Sequence, residues 1–330
     1  MMTHPRLLMR LLRVLWTTCR ARPTQLLKSL VLLPASFYIW SLLKKNPPDI
    51  VHLFWGHYPS LVGWLVKQSE MPCRLSIFLG AYDLTMKYPL SKVVLHQADH
   101  AFTHAGINLP EIREMAEAPV RLIYNGVDLD QLSRIEPQPR DPGRLLVASR
   151  LIQAKRIDLI IETFAVLAEK HPEMSLIIAG EGPERSTLEQ QAHHSGFGNR
   201  IEFIGHVTQQ DLFTEMSKTG IFILMSEKEG ERLPNVLKEA MFLGCICLSS
   251  ITPGIDELIE PGVSGILVHS NQTADLVHEI DQLMANPDTR AAMRKRARIS
   301  IIENFDAKKL VKKYIREWSQ EPKKGPDISV

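Results

Sequence analysis

Beyond residue 47, short runs of apolar, β-branched and aromatic residues alternate with longer stretches of helical period. The runs at 49–54 (DIVHLF), 74–80 (RLSIFLG), 100–104 (HAFTH) and 120–126 (VRLIYNG) read as strands, with a helix-like stretch from Ser60 between the first two. The pattern restarts at 144–150 (RLLVASR) with a helix over about 157–170. Strand-like runs follow at 175–180 (SLIIAG), 201–205 (IEFIG), 220–225 (GIFILM), 245–250 (CICLSS) and 265–268 (GILV), with helical segments between them. Strands alternating with helices predict parallel sheets covered by helices, which is α/β architecture of the doubly wound type. Helical segments at 273–284, 289–302 and 307–318 close the chain. Residues 128–143 hold Pro137, Pro139 and Pro142 among several charges and read as an interdomain linker. The expected division is therefore 1–127, a linker at 128–143, a second domain at 144–305 and a terminal helix within 306–330.

The first 48 residues follow another rule. Residues 6–22 (RLLMRLLRVLWTTCRAR) have the spacing of a basic amphipathic helix able to lie on an anionic membrane surface, or to pack on its own domain with a solvated basic face. The apolar run at 30–43 is short, contains Pro34, and falls below the roughly 20 residues that span a bilayer, so no span is expected. It also lacks a small-residue cleavage site after a terminal apolar core. Eight basic residues and no acidic one precede Asp49.

The whole chain is otherwise balanced. Its 330 residues suggest about two domains, and 39 basic against 37 acidic residues leave a net charge of +2, which gives no argument for nucleic acid. Cys19, Cys73, Cys245 and Cys247 have neither zinc-like spacing nor the density of a secreted disulfide scaffold, so a reducing cytoplasm is expected. Cys245 and Cys247 lie in a strand-like run and read as packing residues.

The chemistry concentrates at 226–244 (SEKEGERLPNVLKEAMFLG). Glu231 and Glu239 stand eight positions apart across a helix start, one in the loop and one in the helix, so both can face one ligand. Pro234 suits a first turn and Asn235–Phe242 reads as unbroken helix, whose free N–H groups and positive dipole end favour a phosphate. The segment follows a buried strand, and ligands of open parallel sheets bind at that carboxyl end.

Glu231, Glu239, Ala240 and Met241 resemble the signature of the retaining glycosyltransferases of family 4, Glu-x7-Glu followed by Ala-Met. The likeness continues in family order at 149–155 (SRLIQAK), 180–184 (GEGPE), 201–207 (IEFIGHV) and 253–268 (PGIDELIEPGVSGILV), covering about residues 120–320. It implies the GT-B fold, two Rossmann-like domains facing across a cleft, with the last helix crossing back to the first. It further implies transfer of a sugar from a UDP-, GDP- or ADP-linked donor to a saccharide or lipid-linked acceptor in cell-envelope polysaccharide or lipopolysaccharide synthesis. No metal and no further cofactor are implied. The basic N-terminal region agrees with a lipid-linked acceptor, so with the cysteine usage the expected location is cytoplasmic, with contact at the inner membrane face.

By the same resemblance, Arg150 and Lys155 neutralise the diphosphate together with the backbone of Pro234, Asn235 and Val236. Glu239 accepts from the ribose, and Glu231 lies at the donor sugar. Ile204, Gly205 and Val207 border the base. The GEGP turn places Glu181 on the donor side, or is a plain strand-to-helix turn. Three departures stand out. Arg156 and Arg232 replace glycines, and Gly80 occupies the position of the first-domain histidine in 78–84 (FLGAYDL), leaving His57, Asp83 and His104 as candidates there. The family's opening strand and glycine loop have no counterpart before Asp49, which implies a shortened first domain or an upstream start. A shortened domain also admits a catalytically weak nucleotide-sugar-binding subunit that needs a partner glycosyltransferase; a GT-B epimerase fits the motifs less well.

Overall fold

The computed structural model describes residues 4–115, 119–227, 230–269 and 272–320. Positions 1–3, 228–229 and 321–330, which belong to the N-terminal region, the Glu231 loop and the 306–330 segment, lie outside the described residues. The chain forms two compact units, Met1–Tyr124 with Val311–Val330, and Asn125–Leu310.

The first unit opens with two helices, α1 (Pro5–Cys19) and α2 (Pro23–Lys45), and then alternates β1 (Ile50–Leu53), α3 (Ser60–Gln68), β2 (Arg74–Phe78), α4 (Ala81–Met86), α5 (Pro89–Gln97), β3 (His100–Thr103), α6 (Leu109–Met115) and β4 (Val120–Leu122). Its strands are all parallel in the order β1-β2-β3-β4. The run at 120–126 yields only a three-residue strand. Ile123 still donates to Thr103, and Val127 then donates to Phe305 in the second unit, so the chain leaves the sheet there.

The apolar period of α1 buries Leu11, Leu15 and Cys19 against the same core as Leu61, Leu65, Leu75 and Ile77. The stretch containing Pro34 behaves differently from its sequence reading. α2 runs unbroken for 23 residues through Pro34, because that proline stands on the exposed side while Leu33, Phe37 and Trp40 anchor the other. Two side-chain bonds fix it, Ser29 Oγ to Tyr88 Oη at 2.7 Å and Trp40 Nε1 donating to Ser69 Oγ at 3.0 Å.

The second unit contains α7 (Leu129–Ser133), β5 (Asp141–Ala148), α8 (Ile157–Lys170), β6 (Ser175–Ala179), α9 (Arg185–His194), β7 (Ile201–Gly205), α10 (Gln209–Lys218), β8 (Thr219–Leu224), α11 (Asn235–Phe242), β9 (Ile246–Ser250), β10 (Ile266–Val268), α12 (Thr273–Ala285) and α13 (Pro287–Asn304). Its six parallel strands run β10-β9-β8-β5-β6-β7. From β5 the chain builds outward through β6 and β7, then returns to β5's other side with β8 and builds away through β9 and β10. The order reverses between β5 and β8, which defines the switch point of a doubly wound sheet.

The 128–143 segment is part of this unit. Asp128 caps α7 by accepting from the N–H groups of Asp130 and Gln131, and the Arg140 guanidinium donates to the carbonyls of Met216, Thr219 and Leu243. A charged group satisfied by three fixed carbonyls cannot swing as a tether. Pro142 is accommodated within β5 because the pairing with β8 shifts register between Asp141 and Leu145.

The last helix, α14 (Ala307–Ser319), starts in the second unit and belongs to the first from Val311. There Tyr314 and Trp318 pack on His52, and Trp318 Nε1 donates to Ser76 Oγ at 3.0 Å. Burial among these rings pulls the His52 pKa down to about 4.

Candidate active site

The loops that follow β5 and β8 flank the switch point, and they carry opposite charges. After β5 the chain turns through Ser149 and Arg150 into a 3₁₀ turn, Gln153–Lys155. Lys155 is buried, and its Nζ lies 2.7 Å from both carboxylate oxygens of Glu231, which sits in the loop between β8 and α11. A second link ties the same loops, with the Glu227 N–H donating to Ala154 O at 3.0 Å. A buried ammonium requires a partner, and the two-oxygen contact supplies one. Arg150 is exposed, and its guanidinium takes no side-chain partner among the described residues.

Arg156 adopts the left-handed conformation at φ 46°, a region that glycine enters freely and arginine does not. Its side chain compensates by pairing with Glu227 at 2.7 Å and with Asp158. Arg232 turns back to donate to Glu231 O at 3.3 Å.

The β5 loop has little room to move. A side chain at Gly180 would meet Ser149 O at 1.9 Å, in a backbone with φ +136°, and one at Gly182 would meet Leu151 O at 2.2 Å. The GEGP turn is thus packed against the backbone that presents Arg150. Leu151 donates to Glu181 O at 3.0 Å, while the exposed Glu181 carboxylate pairs with Arg185.

Pro234 stands in extended conformation just before α11, so the helix proper begins one residue later than a proline in the first turn would place it. Its carbonyl accepts from the Leu237 and Lys238 N–H groups. Those of Asn235 and Val236 find no acceptor among the described residues, and they open at the mouth of α11. Glu239 lies further along α11, half-buried, and its carboxyl is hydrogen-bonded to the Gln209 side chain. Burial holds its pKa above the ordinary glutamate value, opposed by the Gln209 bond and by the neighbouring Lys238. Gln209 starts α10 just past Ile204, Gly205 and Val207, so the structure brings Glu239 to the end of β7 and the turn after it, which carry those three residues.

Two residues of this region were not singled out in the sequence. Gln209 gives no motif. Lys238 gives one, a lysine on the apolar face of α11 at i+3 and i+4 spacing to Met241 and Phe242. It is fully buried, donating from Nζ to Asn125 O at 2.8 Å and Asn235 Oδ1 at 3.1 Å, with the Phe305 ring centroid 5.1 Å away. Burial pulls its pKa down to about 7.

In the first unit, His57 follows β1 and Asp83 lies in α4 just after β2, both at the carboxyl ends of their strands. The structure joins them at 2.8 Å between His57 Nδ1 and Asp83 Oδ1. Asp83 is buried and its other oxygen accepts the Gly80 N–H at 2.9 Å. The carboxylate therefore orients the imidazole and leaves Nε2 as the ring nitrogen for other work. His104 instead stacks on Phe78, with ring centroids 5.4 Å apart.

Among known proteins the chain is similar to N-acetyl-alpha-D-glucosaminyl L-malate synthase of Bacillus anthracis, 27% identical over 284 residues, 81% of this chain and 73% of that protein. It is also similar to a glycosyltransferase of Haemophilus influenzae, 26% identical over 88% of this chain and 75% of that protein. In structure it resembles Anabaena HepE in complex with UDP, with a TM-score of 0.73 and 17% identity over 87% of this chain and 82% of that one. A glycosyltransferase from Rickettsia africae superposes with a TM-score of 0.72 at 16% identity, covering 88% and 81% of the two chains. The fold is that of the GT-B glycosyltransferases. Residues 129–300, which include the β5 and β8 loops and α11, match the family of glycosyl transferases group 1, and the chain belongs to that family.

Proposed function

We propose that this glycosyltransferase moves a sugar from a nucleotide diphosphate sugar onto a saccharide or lipid-linked acceptor in the synthesis of envelope polysaccharide or lipopolysaccharide, with retention at the anomeric carbon and without a metal ion. The observation that carries the reading is the Lys155–Glu231 pair at the switch point, beside the open N–H groups of α11.

In the reaction the bond from the anomeric carbon to the diphosphate oxygen breaks and its electrons leave with the diphosphate. The acceptor oxygen bonds to that carbon on the same face, and the acceptor proton passes to the departing phosphate oxygen. Negative charge grows on the diphosphate, so groups fixed there lower the barrier. Arg150 supplies a planar fork, Lys155 a compact charge, and Asn235 and Val236 backbone donors. This cationic set supports neutralisation without a metal. Glu231 steadies Lys155 until the donor arrives and then faces the donor sugar. Glu239 accepts from the ribose hydroxyls, and Ile204, Gly205 and Val207 border the base, with Glu181 at their margin. His57, oriented by Asp83, offers Nε2 to a sugar hydroxyl.

Two solved neighbours of this fold, Anabaena HepE and the pneumococcal transferase GtfA, hold UDP, which makes UDP the first nucleotide to try. Isothermal titration against UDP, GDP and ADP in EDTA tests the assignment, repeated with Glu239→Ala and Arg150→Ala after circular dichroism has shown both folded. Selective binding of one nucleotide, weakened roughly 10- to 100-fold in each variant, is expected from the loss of a charge-assisted hydrogen bond. No binding by folded wild type, or binding that neither variant alters, overturns the site. The anomeric configuration of the product, read by NMR, decides retention separately.

A further inference from the structure

α1 and α2 expose apolar surface in an order that folding alone does not require. On α2, Leu27, Val31, Tyr38 and Leu42 stand at i, i+4, i+11 and i+15, the side opposite the buried Ser29, Leu33, Phe37 and Trp40. Leu27 is 63% exposed, Val31 70% and Tyr38 66%. On α1, Trp16 is 62% exposed, beside Met9 and Leu12. Contiguous apolar surface of this kind marks an interaction face.

The charge around it selects the partner. Residues 1–48 carry eight basic and no acidic residues, whereas the remaining chain, with 31 basic of the total 39 and all 37 acidic residues, is net −6. Arg6, Arg13, Arg20, Lys28 and Lys45 are exposed and, among the described residues, form no ion pair or side-chain hydrogen bond. A second copy of the chain would bring one strongly cationic face against another, but an anionic lipid surface is complementary to both features. By length and composition α2 could cross a bilayer. Its docked face argues otherwise, since spanning would strip Leu33, Phe37 and Trp40 from the core and break the bonds to Tyr88 and Ser69.

We infer that the outward faces of α1 and α2 form a docking surface for an anionic lipid bilayer, on which α2 lies along the interface and does not cross it. The inference is independent of the donor-site assignment. Its test is co-sedimentation of the full-length protein with phosphatidylcholine–phosphatidylglycerol vesicles, with phosphatidylcholine vesicles for comparison. Binding to the anionic vesicles is expected to exceed binding to neutral ones and to fall as salt rises. The double variant Val31→Ser/Tyr38→Ser lowers the partition coefficient roughly tenfold or more, and Arg13→Gln lowers it roughly fivefold. Val166→Ser, at an exposed apolar position of the second unit, leaves it unchanged. Absence of binding to anionic vesicles overturns the inference, as does equal binding by the folded double variant. Two further results also overturn it: vesicle-free self-association that the double variant abolishes, which assigns the face to a second copy, and resistance of the cellular protein to alkaline extraction from membranes, which makes α2 a span.

Discussion

Lys238 ties the stability of the second unit to pH in a direction opposite to that of a paired lysine. Its ammonium has been taken out of water into contact with two neutral oxygens and a phenyl ring, and burial outweighs the attraction of Glu239. The folded-state pKa is lowered from the ordinary 10.5 to about 7. Between those values the unfolded chain holds a proton that the folded chain lacks, so stability rises with pH across the window. Below it both states are charged, and above it both are neutral. At about 1.4 kcal/mol for each pH unit the full window amounts to about 5 kcal/mol, of which about 2 kcal/mol falls between about pH 7 and about pH 9.

The perturbation is Lys238→Met, which keeps the length of the side chain and removes the titration. Met also leaves Asn125 O and Asn235 Oδ1 without their donor, so its absolute stability shifts by an additional amount of about 1–3 kcal/mol for each oxygen that water does not reach. That cost is independent of pH, and the difference between the wild-type and variant profiles isolates the lysine. The probe must see the second unit. All five tryptophans, Trp16, Trp40, Trp55, Trp64 and Trp318, belong to the first, so urea unfolding is followed by far-UV circular dichroism. Wild type is expected to gain about 2 kcal/mol over the variant between about pH 7 and about pH 9. Parallel profiles would show that Lys238 keeps its proton throughout and that its two oxygens and the Phe305 ring balance the burial.

Three further outcomes separate the roles of the site residues. Glu231→Gln frees Lys155 from its counter-ion and removes a negative charge near the diphosphate, so UDP is expected to bind roughly tenfold more tightly while turnover of the nucleotide sugar falls; weaker UDP binding refutes the pairing as an apo-state placeholder. If Glu239 accepts from the ribose as a carboxylate, as proposed, UDP affinity falls as pH drops through its raised pKa, at a higher pH than for an ordinary glutamate, and titrations with Glu239→Gln lose that dependence. The same raised pKa means that the folded state holds the extra proton between the ordinary and raised values, so this group lowers stability as pH climbs through that window. His57→Ala and Asp83→Asn are each expected to lower kcat roughly 10- to 100-fold with UDP affinity unchanged, and unaltered turnover in the folded variants removes the dyad from the reaction.

What could be read from the sequence was what lies close along it. The strand, loop and helix from Gly220 to Phe242 announced themselves because apolar run, Pro234 and helical period are consecutive, and the same holds for β5 and its loop. The partnership of Lys155 with Glu231 was not legible, since 76 residues separate them and only the return of β8 to the flank of β5 brings their loops together. His57 and Asp83 pose the same difficulty, 26 residues apart, and meet because β1 and β2 are parallel neighbours whose carboxyl ends coincide. Where local rules did mislead, tertiary contacts had overruled them. The apolar run at 30–43 is short by itself, yet α2 carries it within 23 residues through Pro34, because the proline's exposed side loses one hydrogen bond while Leu33, Phe37 and Trp40 hold the other, and the proline-rich stretch before β5 was no tether because Arg140 satisfies three carbonyls of its own unit. Lys238 is the instructive middle case. Its place on the apolar face of α11 was visible, but whether such a lysine snorkels to water or stays buried depends on Asn125 and Phe305, which flank it from positions far along the chain. Motifs therefore locate the chemistry, and the pairing of distant loops decides which of its groups stand together.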